Sequence, residues 1–121
     1  MSKKPERSSV PPDKLALYDA LIATITDLER KGAANPYTSW NGHMFSILSP
    51  EGELGLRLPK DVREDFLTRY NANLREAYGI IQKEYVVVPD ELFKDTEQLK
   101  PFFRSSYDYV QSMKPKPTKK G

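Results

Sequence analysis

The sequence predicts a single α+β domain with two layers, in which an antiparallel sheet carries its helices on one face. Turn signals bracket strand-length runs between residues 41 and 58, helical periodicity lies on both sides of that region, and a run of β-branched residues ends at Val88. The predicted order is α-β(3)-α-β(2)-α, in which the fourth strand, within residues 71–79, is less clearly marked than the others. Short antiparallel strands with helices between them are typical of two-layer domains.

Length and composition limit the class of protein. The chain has 121 residues, of which 38% are hydrophobic and 30% charged, and it has no cysteine. These values fit one globular domain and exclude disulfides and thiolate chemistry. No apolar run approaches the ~20 residues that a membrane-spanning helix needs, and the N-terminus lacks the apolar segment of a signal peptide. We therefore expect a cytoplasmic protein without a membrane contact.

The charge is distributed unevenly along the chain. The two ends combine many cations with a single acid: Lys3, Lys4, Glu6, Arg7, Lys114, Lys116, Lys119 and Lys120. The body between them keeps 12 of the 19 basic and 16 of the 17 acidic residues, so it is mildly acidic. We expect a disordered basic tail at 1–12, one domain at 13–113 and a mobile Lys/Pro-rich tail at 114–121.

The first helix is predicted at about residues 13–31. Asp13 follows two prolines and can cap the N-terminus, and Gly32 can take the left-handed conformation that ends a helix. Apolar residues recur between them at helical spacing: Leu15, Tyr18, Leu21, Ile22, Ile25 and Leu28. This stripe is broad enough to pack on a sheet.

The central hairpins are predicted from their turns. Asn41-Gly42 tolerates positive φ at both positions, as tight hairpin turns require. Ser49-Pro50-Glu51-Gly52 matches a type I turn closed by a left-handed glycine. These turns place strands near residues 43–48 and 53–58, and an extended segment at 37–40 precedes them.

The second helix is predicted to begin at Pro59, because a proline in the first turn loses no hydrogen bond. Its inner face is marked by apolar residues at i, i+4 spacing: Leu58, Val62, Phe66 and Tyr70. Residues 71–79 fit either an extension of this helix or an edge strand, and Gly79 ends them. Residues 82–88 form the clearest strand, because β-branched side chains suit a pleated, buried surface.

The last helix is predicted from its cap. Pro89 opens a single helical turn. Asp95 or Thr96 can cap the helix that follows, and Asp95 has capping-box spacing to Gln98. Apolar residues at helical spacing then continue to Met113. Because a proline inside a helix removes a hydrogen bond, Pro101 is compatible with this helix only if the helix begins near residue 98.

The sequence contains no recognisable catalytic constellation. His43 is the only histidine, so it would have to serve any histidine-based mechanism. No serine lies in a Gly-x-Ser-x-Gly elbow, and one histidine without cysteine is a poor basis for a metal site. The glycines lie in turns or strands rather than in a phosphate-binding loop. We therefore expect a non-catalytic protein without a cofactor or metal.

Candidate binding residues fall into two groups. Tyr37, Trp40, Asn41 and His43 surround one turn, and aromatic side chains with polar tips are typical of contacts to small molecules or proteins. The alternative is that Tyr37 and Trp40 only cap the core. The second group consists of tail lysines that would attract nucleic acid in a salt-dependent manner: Lys114, Lys116, Lys119 and Lys120.

Arginines near aromatic residues are a further signal for nucleic-acid binding, because stacking rings and positive charge together suit single-stranded nucleic acid. Five arginines are spread along the chain with aromatic residues near them: Arg57, Arg63, Arg69, Arg75 and Arg104, with Tyr37, Trp40, Tyr70 and Tyr107. The alternative is that these arginines cover a solvated face, because acids alternate with them and the aromatic residues fall on predicted core stripes.

Three stretches resemble the N-terminal domain of the TfoX/Sxy family. Residues 41–47, Asn-Gly-His-Met-Phe-Ser-Ile, are similar to the family's Asp-Gly-x-Met-Phe-Ala strand, and residues 52–58 are similar to its partner strand. Residues 85–92 and the Lys-Pro-Lys-Pro run at 114–117 resemble its final turn and basic end. The resemblance covers residues 42–117. It implies the α-β(3)-α-β(2)-α fold of YgaC-like proteins and a regulatory role, with no catalytic residues to carry over.

From this resemblance we expect a small bacterial regulatory module that binds a protein partner. One alternative is a nucleic-acid-associated regulator of transcription or competence, which the basic tails favour. Another is a small-molecule binder that uses the Tyr37–His43 region. An exposed edge strand would also let two copies pair as a homodimer, so the sequence leaves the partner and the oligomeric state open.

Overall fold

The computed structural model describes residues 10–32, 36–77 and 79–113. Its elements are α1 (Pro12–Ile22), β1 (Tyr37–Trp40), β2 (His43–Leu48), β3 (Leu54–Arg57), α2 (Lys60–Arg69), β4 (Leu74–Ala77), β5 (Ile80–Val88), α3 (Asp90–Phe93) and α4 (Thr96–Gln111). The strands form one antiparallel sheet in the order β1-β2-β3-β5-β4. The predicted α+β class is confirmed.

One face of the sheet carries the core and all four helices contribute to it. Cross-strand partners on this face are buried in two rows: Leu48, Leu54 and Val88 in one, and Ser46, Leu56 and Val86 in the other. The helices supply the opposing side chains: Tyr18, Leu21, Phe66, Phe93, Leu99, Phe103 and Val110. Burying a large apolar side chain of this kind contributes about 1.5–3 kcal/mol to stability.

A β-bulge explains why two consecutive residues of β2 are both buried. Thr38 of β1 pairs with Ser46, but the next residue, Ser39, pairs with Met44, which leaves Phe45 as the extra residue. A bulge disturbs the alternation of side chains, so Phe45 and Ser46 both reach the core face. Phe45 then packs against two aromatic rings of α4, with centroids 5.7 and 5.8 Å away.

Three buried hydroxyl groups join α1 to the sheet. The Tyr18 and Ser46 hydroxyl oxygens lie 2.6 Å apart, and the Ser46 and Thr38 oxygens lie 2.5 Å apart. All three side chains are fully buried, so each hydroxyl depends on the others for its hydrogen bonds. Burial raises the pKa of Tyr18 far above its ordinary value, although its two hydroxyl neighbours oppose the shift.

The predicted turns and strand boundaries in the middle of the chain agree with the structure. Asn41 and Gly42 have φ of 55° and 81°, as a two-residue hairpin turn requires, and Gly52 has φ of 88°. Residues 74–77 form an edge strand, which settles the open interpretation of 71–79. Asp95 caps α4 by accepting a hydrogen bond from the Gln98 amide at 3.2 Å.

The prediction for the end of the first helix was wrong. The apolar spacing continues to Leu28, but α1 ends at Ile22 rather than near residue 31. Thr24 turns its hydroxyl back onto the Leu21 carbonyl at 2.7 Å, and Asp27 has φ of 68°. β-Branched residues and local side-chain hydrogen bonds both weaken a helix, so the stripe continues into the core as an irregular segment.

The start of the domain also differs from the prediction. Val10 is buried and Pro12 begins α1, so the domain starts before the predicted boundary at 13. Pro11 occupies the N-cap position that was predicted for Asp13, and Asp13 lies in the first turn. Residues 1–9 and the predicted tail at 114–121 lie outside the described residues.

Pro101 lies inside α4, so the condition that this proline requires a helix start near residue 98 was wrong. The helix begins at Thr96, so Pro101 cannot donate to the carbonyl of Glu97 four residues earlier. The buried residues on either side of it, Leu99 and Phe103, hold the helix against the core.

Candidate functional site

The structure separates the residues of the predicted Tyr37–His43 region. Trp40, Asn41 and His43 adjoin the turn between β1 and β2, whereas Tyr37 begins β1 at the opposite end, about 10 Å away for a strand of this length. The Trp40 ring meets the Tyr107 ring of α4 edge-on, with centroids 5.4 Å apart. Trp40 therefore packs against the core.

A polar network joins α4 to the end of β3 and the middle of β5. The Glu84 carboxylate accepts hydrogen bonds from Arg57 Nε at 2.7 Å and from the Tyr109 hydroxyl at 2.8 Å. The Arg57 guanidinium lies over the Tyr109 ring, 5.8 Å from its centroid. These contacts hold the last turns of α4 against the sheet.

The titration of this network does not favour general acid–base catalysis near neutral pH. Partial burial acts to raise the pKa of Glu84, but the hydrogen bonds from Tyr109 and Arg57 and the charge of Arg57 outweigh it, so the pKa is lowered. Burial and the hydrogen bond to Glu84 raise the pKa of Tyr109. A general acid or base works best with a pKa near the working pH, and both shifts lead away from it.

Two of the candidate arginines lie over tyrosine rings. Arg69 lies 6.0 Å from the centroid of the Tyr70 ring, and Arg104 lies 5.5 Å from that of Tyr107. Arg104 is also paired with the carboxylate of Asp108 at 3.2 Å. Among the residues that the structure describes, no carboxylate lies within ion-pair distance of Arg69.

The β4–β5 hairpin extends past the rest of the sheet. β3 pairs with β5 only from Tyr85 onward, so residues 80–84 of β5 have no partner in β3. The register between β4 and β5 slips after Leu74, which pairs with Val86, whereas the next residue, Arg75, pairs with Gln82. Such an irregularity bends the strands and increases their twist.

The hairpin bends over the sheet face opposite the helices. Its turn residue Gly79 lines a cavity of about 520 Å³ together with Val87 and with Glu53, the residue directly before β3. Arg75 lies over Gly55, where an added Cβ would be only 2.7 Å from the Arg75 Cδ. The glycine therefore makes room for the arginine on this face.

The end of this hairpin carries exposed apolar side chains. Ile80 is 64% exposed and Ile81 is 55% exposed, the highest values among large hydrophobic residues in the described part of the chain. Ile80 pairs with Ala77 and Ile81 with Glu76, so neighbouring isoleucines point to opposite faces of the hairpin. Sequence analysis missed this surface, although an apolar pair directly after Gly79 and before three polar residues was a usable signal.

The remaining predictions concern metals, membranes and the tails. Within residues 10–32, 36–77 and 79–113, no three histidine or carboxylate side chains cluster as metal ligands, and no helix is long and apolar enough to cross a membrane. The predicted nucleic-acid lysines of the C-terminal tail lie outside the described residues: Lys114, Lys116, Lys119 and Lys120.

Comparison with known proteins identifies no relative. No protein-family model, curated protein or solved structure matches the chain. The resemblance to the TfoX/Sxy family therefore stays a prediction.

Proposed function

We propose that this chain is a regulatory module that binds a protein partner through the end of the β4–β5 hairpin. The exposure of Ile80 and Ile81 is the observation that carries the proposal. The two side chains lie on opposite faces of the hairpin, so a partner that encloses its tip would cover both and remove their apolar surface from water. The TfoX-like sequence pattern supports a regulatory role.

The charges of β4 are consistent with a selective contact. β4 is an outer strand, and it carries Arg75 and Glu76 next to the exposed isoleucines. Charged residues on an edge strand discourage indiscriminate pairing with other strands. A partner must therefore recognise the tip of the hairpin and match these charges.

The alternatives from the sequence have less support. Nucleic-acid binding depends on lysines outside the described residues. A small-molecule site at Tyr37–His43 would need Tyr37 near the turn and a free Trp40 ring, whereas Tyr37 lies at the other end of β1 and Trp40 contacts Tyr107.

The test replaces both isoleucines by threonine, which keeps a β-branched side chain but removes apolar surface. The Ile80→Thr/Ile81→Thr variant and the wild type are each used to capture proteins from an extract of the source organism, and each captured partner is then purified for binding curves. Because both side chains are exposed, the free energy of unfolding of the variant should lie within about 0.5 kcal/mol of the wild-type value. Lys83→Thr is the matched control, since Lys83 is an exposed residue of the same strand.

We expect the partner's affinity to fall about a hundredfold or more in the double variant, because two side chains lose burial worth roughly 1.5 kcal/mol each. The control should bind as the wild type does. The proposal is refuted if both variants retain the same proteins with equal affinity. A second copy of the chain as the partner would appear as concentration-dependent dimerisation that the double variant loses.

A further inference from the structure

The junction of α2 and α4 forms a groove with the features of a second binding site. Arg69, Tyr70, Gln98, Pro101 and Phe102 line a cavity of about 620 Å³, and we call this the Tyr70 groove. A second cavity of about 250 Å³ shares Tyr70 and Gln98 with it and is lined by Glu91 on the side away from Arg69. These volumes are close to the range of about 300–1,000 Å³ that is usual for ligand sites.

The backbone holds Tyr70 in a fixed position at the end of α2. Asn71 has φ of 52°, and the Ala72 amide donates to the Leu67 carbonyl at 3.0 Å. This pattern is a Schellman motif, in which a left-handed residue directly follows the last helical turn. Tyr70 therefore leaves α2 at a defined angle, towards the start of α4.

Aromatic packing fixes the floor of the groove. The Tyr70 ring lies 4.9 Å from the ring of Phe66, which is fully buried, and the Phe102 ring meets both edge-on at 5.8 and 5.0 Å. Gln98 Nε2 donates a hydrogen bond to the Tyr70 hydroxyl at 3.1 Å. Tyr70 and Phe102 are only partly buried, so part of each ring is accessible in the groove. Because the rings are already held in place, binding of a partner would not carry the entropy cost of ordering them.

The charge at the rim is not neutralised. Arg69 stacks on Tyr70 without a carboxylate partner among the described residues, whereas Arg104 has both a tyrosine ring and Asp108. An arginine that keeps its donors available can bind a carboxylate with two parallel hydrogen bonds. The groove is therefore complementary to an apolar group that adjoins a negative charge.

We propose that the Tyr70 groove binds a peptide segment of a partner protein in which an aromatic or aliphatic side chain adjoins an aspartate or glutamate. The apolar side chain packs on Phe102 and Pro101, and the carboxylate pairs with Arg69. The groove and the β4–β5 hairpin share no residue, so this proposal stands if the hairpin binds nothing.

The test is a titration of the full-length, nitrogen-15-labelled protein, followed by NMR, with three acetylated and amidated tetrapeptides. The probe is Ser-Phe-Asp-Ser, and the controls are Ser-Phe-Lys-Ser, which reverses the charge, and Ser-Ser-Asp-Ser, which lacks the apolar group. The proteins are the wild type, Arg69→Gln, Arg69→Glu and the control Arg104→Glu. Arg104→Glu removes a cation that also stacks on a tyrosine but already has a carboxylate partner.

We expect the Phe-Asp probe to shift the amides of Arg69, Tyr70, Gln98 and Phe102 in a saturable manner, with each control peptide at least about tenfold weaker. Both Arg69 variants should lose about tenfold in affinity, and Arg104→Glu should bind as the wild type does. The Ile80→Thr/Ile81→Thr variant should also bind normally, which separates this proposal from the hairpin.

Three results would overturn the proposal. The first is no saturable shift at about 10 mM peptide, since even weak specific contacts have dissociation constants in the millimolar range. The second is equal binding of the Phe-Lys peptide, which would remove the role of charge. The third is an equal loss in the Arg104→Glu variant, which would indicate general electrostatics rather than the Tyr70 groove.

Discussion

Replacing Tyr18 by phenylalanine removes a single oxygen from the hydroxyl cluster that joins α1 to the sheet. That oxygen lies 2.6 Å from Ser46 Oγ, which keeps a second partner in Thr38. The loss is therefore one buried hydrogen bond with no group left wholly unsatisfied, and we expect the free energy of unfolding to fall by about 1 kcal/mol. For a domain of this size that corresponds to a decrease in Tm of roughly 3–5 °C.

Ser46→Ala should cost more, because it removes one hydrogen bond from Tyr18 and another from Thr38. We expect a loss of about 2–3 kcal/mol, since each orphaned buried hydroxyl carries its own desolvation penalty. In the variant that combines Tyr18→Phe with Ser46→Ala, the Tyr18 hydroxyl is absent, so it no longer lacks a hydrogen-bond partner. The double variant should therefore be more stable than the sum of the single effects predicts, by about 1 kcal/mol.

Urea denaturation followed by the fluorescence of Trp40, the only tryptophan, measures these differences. Tyr107→Phe is the matched control, because Tyr107 is 8% exposed and its hydroxyl makes no hydrogen bond within the described residues. The control should stay within about 0.5 kcal/mol of the wild type. Additive effects of Tyr18→Phe and Ser46→Ala, or an unchanged stability in Tyr18→Phe, would refute the assignment of this cluster as a structural link.

Two further predictions concern the polar network and the bulge. The folded state lowers the pKa of Glu84 below its ordinary value of 4.5, so the carboxylate stabilises the fold above that pH and loses its contribution as the pH falls through the lowered pKa. Free energies of unfolding measured between neutral and acid pH should therefore decrease less steeply in Glu84→Gln than in the wild type, and parallel curves would contradict this reasoning. Phe45→Ala should cost about 3–5 kcal/mol of stability, because it empties a fully buried site, whereas Ile47→Ala on the other face should cost less than half as much. Equal losses at the two positions, measured by denaturation, would show that the bulge does not direct Phe45 into the core.

Local signals made much of the fold predictable. Asn41-Gly42 is a strong signal for a tight turn. Pro59 marks a helix start because it has no backbone N–H to satisfy, and Asp95 marks one because its carboxylate accepts a hydrogen bond from the first turn. Each of these signals depends only on residues that are neighbours in the sequence, so it can be interpreted without knowledge of the tertiary structure. The order of elements follows from them.

The errors arose where tertiary contacts override local preference. The apolar spacing to Leu28 suits a helix, but the same spacing also serves an irregular segment that packs on the core. The bulge at Phe45 is invisible in a single strand, because it depends on how β1 and β2 pair. Pro101 is tolerated because buried residues on both sides stabilise α4.

The candidate sites were less predictable than the fold. Tyr37 and Trp40 are close in sequence, but the length of β1 separates them. Arg69 and Phe102 lie in different helices, and only their packing around Tyr70 forms the groove. The sequence placed Arg69 and Tyr70 among several candidate arginines and aromatic residues, whereas their pairing, the cavity and the missing carboxylate required the structure.

The most direct test of the proposed function is site-specific photo-crosslinking in cells of the source organism. The photoreactive amino acid benzoylphenylalanine replaces Ile81 in one version of the full chain and Glu64 in another. Glu64 is an exposed residue of α2, on the helical side of the sheet. We predict a discrete covalent adduct with a protein from position 81 and none of the same mass from position 64. The same adducts from both positions, or an adduct from position 64 alone, would contradict binding through the β4–β5 hairpin.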